Sequence, residues 1–304
     1  MKEYILKVLP ENSNKRIDIF LMDFFKHQDP GVSRTFIQSL IESGNVFLNG
    51  EPIKKTHYKV KAEEEIKIIF EDKKRGANKP EDIPLEIIYE DGDIVIINKQ
   101  IGLVSHPAPG NYEHTLVNAL LYKIGDLSDI SPDRQGIVHR LDKDTSGLLV
   151  AAKNNAAHLN LAKQFAEHTI KRKYIALVSG KMEFDENIIE MPIGRHPIKR
   201  KNMAVGFGKN TRYAKTLYRT LKRGDKFSLV ELEPFTGRTH QLRVHLAFIG
   251  HPILGYKKYG KNNKFKRLAL HAKSIGFIHP SSGKYVEFST DMPEEFKQFL
   301  DSGV

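Results

Sequence analysis

The chain has 304 residues, 40 % of them hydrophobic and 28 % charged, a composition that excludes a disordered, collagen-like or membrane-spanning polypeptide. It contains no cysteine, which excludes disulfides, thiolate nucleophiles, iron–sulfur clusters and cysteine-ligated zinc. With 48 Lys and Arg against 37 Asp and Glu the net charge is +11, an excess that points to a polyanionic partner.

At roughly 100–200 residues per domain, the length predicts two domains. The first ten residues break their apolar run with Glu3 and Lys7. No secretory leader is therefore expected, and a cytoplasmic location is. Ile17, Phe20, Leu21, Phe24 and Phe25 recur at helical spacing. A second helix is expected from Ser33 as N-cap, with Phe36, Ile37, Leu40 and Ile41 on one side and Gly44 at its end. Val46–Ile53 reads as two short strands joined by an Asn49-Gly50 turn, and Glu65–Phe70 as a further strand. This order, together with Arg16-Ile-Asp18, Ser33-Arg34 and Gly44-Asn-Val46, resembles the S4 RNA-binding domain. The resemblance implies that the helices face RNA, with Lys15, Arg16, Arg34, Lys54 and Lys55 as candidate contacts.

Eight of the twelve residues from Glu71 to Asp82 are charged, which is linker composition. Beyond it, Leu85–Tyr89 and Ile94–Asn98 flank a hairpin turn. Thr115–Tyr122 reads as a helix, Leu148–Ala152 as a buried strand, and Ala156–His168 as a helix capped by Asn154 or Asn155. Strands are expected at Tyr174–Val178, Met203–Val205, Thr211–Arg219, Phe227–Leu232 and Tyr285–Phe288. Strand signals outnumber helix signals without alternating with them, so the fold class expected is α+β with a largely antiparallel or mixed sheet. The positive charge sits in blocks: eleven Lys and Arg against one acid from Arg195 to Lys226, and six against none from Lys257 to Arg267. Aromatic residues interleave with both, a mixture suited to phosphates and bases. Lys199, Arg200 and Lys201 lie in a stretch too polar to be core and are RNA-contact candidates.

The segment Gly136–Lys153 sets polar residues from His139 to Ser146 between apolar runs, where site residues tend to sit. Its carboxylates, Asp142 and Asp144, fit a surface turn or a glycosidase pair. They do not fit a phosphatase loop, because Thr145 follows Asp144 directly. Pro234–Leu246 gathers Arg238, His240, Arg243 and His245. No metal is expected there, since the chain lacks His-Glu-x-x-His and cysteine. The spacing around Gly206-Phe-Gly208 does not make a phosphate loop.

Gly136–Lys153 closely matches the His-Arg-Leu-Asp-x-x-Thr-Ser-Gly signature of the RluA-type RNA pseudouridine synthases. Asn98–Pro107, Lys173-Tyr174-x-Ala176, Gly237–Arg243 and Leu268–Pro280 follow as further blocks of that family. Gln100 and Tyr256 depart from it, where Pro and Asp are usual. The resemblance implies isomerisation of uridine in RNA: the N1–C1′ bond breaks, the uracil turns, and C5 bonds to C1′. No cofactor is implied. By match Asp142 is the catalytic carboxylate, with Arg243 as the cation beside it and Tyr174 as the residue that stacks on the base or serves in proton removal from C5. Attack on the sugar, attack on the base and proton abstraction to a glycal all stay open. Leu242 would wall the base and Arg140 fill the vacated stack, with His139, Thr145, Arg238 and His240 completing the substrate site. The division implied is an S4-like domain at 1–75, a linker at 76–82 and a catalytic domain at 83–304. The resemblance is to the branch acting on large-subunit ribosomal RNA, and the expectation is ribosomal RNA as partner, free or within a pre-ribosomal particle, and a monomer away from membranes. Transfer RNA as substrate, and a non-catalytic ribosome-assembly factor, are the alternatives.

Overall fold

The computed structural model describes residues 2–28, 32, 34–70, 78–107, 111–198, 202–208, 210–255 and 265–302. The chain divides into two units, residues 1–77 with 131–133, and residues 78–130 with 134–304. In the first, β1 (Lys2–Lys7) precedes α1 (Ile17–Gln28), α2 (Arg34–Glu42), β2 (Val46–Leu48), β3 (Glu51–Pro52) and β4 (Glu65–Phe70). Its strands form an antiparallel sheet in the order β1-β4-β2-β3. The stripe of α1 buries Ile17, Leu21 and Phe25 in one core with Ile37 and Ile41 of α2 and Ile66 and Ile68 of β4. Gly44, at φ 78°, ends α2: its N–H donates to the Ile41 carbonyl and that of Asn45 to the Leu40 carbonyl, a left-handed cap. Asn49 and Gly50 both take positive φ, the turn this pair favours. The cap expected at Ser33 lies outside the described residues.

Arg16 and Arg34, two of the RNA-contact candidates, have a second occupation. Both donate to Asp18, which is fully buried: Arg16 Nε to Oδ1 at 3.0 Å, Arg34 Nη2 to Oδ2 at 2.8 Å, with Gln38 Nε2 at 2.9 Å. Burial pushes the Asp18 carboxyl up, but the bonds from Arg34, Arg16 and Gln38 outweigh it and hold it at about 2. A carboxyl depressed on folding stabilises above its unfolded value, and that stability is lost as pH falls through the folded one. The first unit should therefore lose on the order of 2 kcal/mol between about pH 4 and pH 2, an effect absent from Asp18→Asn. Amide exchange in α1 and α2 across that range measures it; equal losses in both proteins would contradict it. Lys15 pairs with Asp23 at 3.3 Å, while Lys54 and Lys55 are exposed.

The second unit runs β5 (Glu86–Glu90), β6 (Ile94–Lys99), α3 (Leu116–Lys123), β7 (Ser146–Ala152), α4 (Asn155–Ala166), β8 (Lys171–Ser179), β9 (Glu186–Glu190), β10 (Ile193–Arg195), β11 (Met203–Val205), β12 (Lys215–Arg223), β13 (Phe227–Pro234), α5 (Gln241–Phe248), β14 (Leu270–Ile278), β15 (Tyr285–Ser289) and α6 (Glu294–Asp301). Its main sheet has the order β5-β6-β7-β14-β8-β13-β12-β9, with β15 also on β14. Among the described strands of that sheet, only β7 and β14 pair in parallel. This is the α+β fold with a mixed sheet that the sequence predicts.

Alternate residues of β6 and β7 face opposite sides. Val95, Ile97, Leu149 and Ala151 pack with α3, whereas Ile94, Ile96, Leu148 and Val150 pack with α4. Thr115 caps α3 in a reciprocal box with Asn118, and Asn154 caps α4 by accepting from Ala157 N–H. The strand expected from Thr211 begins at Lys215 instead. Upstream of it, Arg212 forms an isolated bridge to Ile193, which pairs with β11.

Candidate active site

The polar segment before β7 is held by backbone contacts on several sides. Leu141 O accepts from Ser105 Oγ at 2.8 Å, and Lys143 O from Gly102 N–H at 2.8 Å. Lys99, fully buried, places its ammonium on the carbonyls of Gln100 (2.8 Å), Leu103 (3.1 Å) and Lys143 (3.4 Å). Burial pushes that ammonium down to about 8, against the charges of Asp142 and Asp144, which push it up. His139 Nε2 accepts from Val150 N–H at 3.1 Å and its ring stacks on Phe165. Burial, then the charge of Arg172, brings His139 down to about 3, so it is neutral.

The segment ends at Gly147, with φ 109° and its α-carbon against β14. A Cβ there would overlap the backbone of Ala272. Gly147→Ala should therefore destabilise the second unit by about 3 kcal/mol through overpacking and a forced left-handed residue. Urea unfolding tests this, and a change below about 1 kcal/mol would contradict it.

Opposite stands the turn from Pro234 to Gln241 that leads into α5. Gln241 is buried and organises it. Its Oε1 accepts from Thr236 Oγ1 (2.7 Å) and Arg238 N–H (3.0 Å), and its Nε2 donates to Lys215 O and Thr216 Oγ1. His240 follows at φ 56° and starts the helix without a side-chain cap. Leu242 and Arg243 then lie in the first turn of α5, both buried. His245 is engaged by Met191 O and by Thr216 Oγ1, the hydroxyl that Gln241 also contacts.

Between these two segments lies a cavity of about 310 Å³. All nine residues expected in the catalytic and substrate site line it: His139, Arg140, Asp142, Thr145, Tyr174, Arg238, His240, Leu242 and Arg243. Arg243 Nη2 stands 3.3 Å from Asp142 Oδ2 and 3.3 Å from Thr145 Oγ1. The guanidinium is 4 % exposed and the carboxylate 24 %, so the carboxylate keeps an open side toward the cavity. Tyr174, from β8 in register with Leu232 and Ala272, closes another wall. Burial raises its phenol, with Arg172 lowering and Asp142 raising it, so it remains protonated at neutral pH. Arg140 is exposed, and Arg238 Nε donates to Tyr213 O at 2.9 Å.

Arg172, Phe165 and His168 also line the cavity and were not singled out from sequence. Arg172 neighbours Tyr174 on β8 and lies over the Phe165 ring. The block Lys171-Arg-Lys173 is its only sequence signal, and it reads as a charged strand end. Lys199, Arg200 and Lys201, like Tyr256, lie outside the described residues. Among the described residues, the one group of three metal-capable side chains is Asp91, Asp93 and His279. None of them lines the cavity, and His279 Nε2 is spent on Asp91 Oδ2 at 2.8 Å.

One carboxylate braced by a buried arginine, an aromatic wall and a basic rim suit a flipped base of a polyanion. Comparison with known proteins agrees. Residues 93–248 match the RNA pseudouridylate synthase family and residues 15–66 the S4 domain. An uncharacterized RNA pseudouridine synthase of Bacillus subtilis is 40 % identical over 306 residues, covering 99 % of this chain and 98 % of that protein. A protein of Zymomonas mobilis named ribosomal large subunit pseudouridine synthase D is 43 % identical over 279 residues, 88 % of each chain. The solved structure of human RNA pseudouridylate synthase domain containing 1 aligns with a TM-score of 0.59 at 29 % identity, over 72 % of this chain and 87 % of that one. The chain therefore belongs to the RNA pseudouridylate synthase family, isomerases acting on uridine in RNA, and carries an S4 domain at its N-terminal end.

Proposed function

We propose that this protein isomerises uridines of large-subunit ribosomal RNA and that Asp142 is the carboxylate at the reacting nucleotide. The observation that carries the chemistry is the Asp142–Arg243 pair at 3.3 Å in the cavity that Tyr174 closes. A carboxylate held there by a buried cation is positioned before the substrate arrives, so little reorganisation accompanies reaction. The target base leaves its stack to enter, and Arg140, exposed at the rim, takes its place. After the N1–C1′ bond breaks, the uracil turns between Tyr174 and Leu242, C5 bonds to C1′, the C5 proton leaves and N1 regains one. Because the phenol of Tyr174 is held protonated by burial, stacking suits it better than accepting that proton. The isomerisation balances without oxidant or reductant.

The choice of ribosomal RNA is supported by relatives such as those of Zymomonas mobilis and Haemophilus influenzae, both named ribosomal large subunit pseudouridine synthase D. The match to the Haemophilus protein spans 97 % of this chain, S4 domain included. Lys54 and Lys55, with the outer faces of Arg16 and Arg34, are the contacts we assign to that domain. Release of tritium from C5-labelled uridine in transcripts tests the proposal. Release from large-subunit ribosomal RNA is expected. Release from transfer RNA alone would redirect the substrate, and release from neither would overturn the activity.

A further inference from the structure

Thr145 and Ser146 are consecutive, and they face opposite sides of the sheet at the start of β7. Thr145 lines the active-site cavity, whereas Ser146 lines a second cavity of about 810 Å³ together with Arg267 and His271. Ser146 and His271 are register partners in the parallel β7–β14 pair, so their side chains meet on one face. Ser146 Oγ lies 2.9 Å from His271 Nδ1 and 3.1 Å from Arg267 Nη1. Both Ser146 and His271 are buried, and the Arg267 side chain is 11 % exposed. Arg267 is itself fixed, by Leu268 O at 3.2 Å, by Glu295 at 3.3 Å and by the Phe296 ring beneath it.

We infer that Ser146, His271 and Arg267 form a clasp that positions the Asp142–Thr145 turn from the far side of the sheet. This deepens the proposed function and rests on Asp142 being the reacting carboxylate. A guanidinium can only donate, so Arg267 gives its hydrogen to Ser146 Oγ. The serine hydroxyl keeps its own hydrogen for His271 Nδ1 in the neutral tautomer that leaves this nitrogen bare. Burial first, and then the charge of Arg267, push His271 down to about 4, which keeps the ring neutral. The remaining proton sits on Nε2, a buried atom with no hydrogen-bond partner among the described residues. Such a group costs about 1–3 kcal/mol, so the ring is a poor choice for stability alone. What the clasp holds is adjacent to the chemistry. Thr145 N–H donates to Asp142 O at 3.1 Å, and Thr145 Oγ1 accepts from Arg243. A shift of Ser146 is transmitted through one peptide unit to both members of the ion pair. These three are positioning residues, and none lines the active-site cavity.

The test uses the full-length protein and tritium release from C5-labelled uridine in a large-subunit ribosomal RNA transcript. Ser146→Ala is expected to lower kcat by about tenfold to hundredfold, the usual scale for a misplaced group, with KM within about twofold and an unchanged circular dichroism spectrum. His271→Asn ends its side chain near the place of Nδ1 and should keep kcat within about threefold, whereas His271→Gln should behave as Ser146→Ala does. If the clasp acts through Thr145, adding Ser146→Ala to Thr145→Val should lower kcat little further. A kcat within about twofold of wild type in folded Ser146→Ala, full multiplication of the two effects, or equal activities of the Asn and Gln variants would overturn the clasp. Should Ser146→Ala fail to fold, the histidine pair decides alone. Asp142→Asn is measured alongside. Activity in that variant would fail the reading of Asp142, whereas an inactive Asp142→Asn beside a fully active Ser146→Ala would fail the clasp only.

Discussion

Asp142→Asn is expected to abolish pseudouridine formation while leaving RNA affinity within about twofold. The amide matches the carboxylate in size and can still accept from Arg243, which lies 3.3 Å away. It cannot carry the negative charge on which the reaction depends. The cationic rim of Arg140 and Arg238, and the S4 domain, are untouched. Losing an essential reacting group costs many orders of magnitude in kcat, so residual turnover above about one per cent would refute the assignment. Single-turnover measurements at saturating RNA, with filter binding as the companion assay, separate the two effects.

Arg243→Met should reduce kcat by about a hundredfold to a thousandfold, the range seen when one preorganised electrostatic partner is removed. Methionine keeps most of the apolar bulk of the side chain within α5, so Leu242 and Leu246 retain their packing. What disappears is the cation shared by Asp142 and Thr145. Breaking a fully buried pair typically destabilises by about 3–5 kcal/mol. Asp142 retains 24 % exposure and can be hydrated, so the protein should remain folded. Arg243→Lys restores the charge but not the two-pronged reach and should fall between the two. A kcat within about tenfold of wild type in the Met variant would show that the carboxylate works without this cation.

How legible the site was depends on which residues carried local patterns. The segment from His139 to Ser146 stands out because polar residues interrupt two apolar runs, and the structure puts that interruption at the cavity. All nine residues expected there line it. The helix α5 was harder to see as a helix. It starts at His240 in a left-handed conformation, with no Ser, Thr, Asp or Asn cap to announce it. Its order comes from Gln241, whose partners Thr216 and Lys215 lie 25 and 26 residues away. The central strand β14 was unassigned for a related reason. Leu270–Ile278 is buried on both faces, so it lacks the alternation that marks a half-exposed strand. The clasp at Ser146 was invisible for the same cause, since its partners are 121 and 125 residues distant. In the first unit, helix periodicity, Gly44 and Asn49-Gly50 made the elements readable in order. The exception was β1, whose Lys-Glu-Tyr-Ile-Leu-Lys sequence has no period of two.

The most direct test is a map of pseudouridines in large-subunit ribosomal RNA from cells lacking the gene, complemented with wild type or with Asp142→Asn. The account predicts that specific pseudouridines vanish in the null strain, return with the wild-type gene and stay absent with Asp142→Asn. A map identical in the null and parental strains, or its restoration by Asp142→Asn, would contradict it.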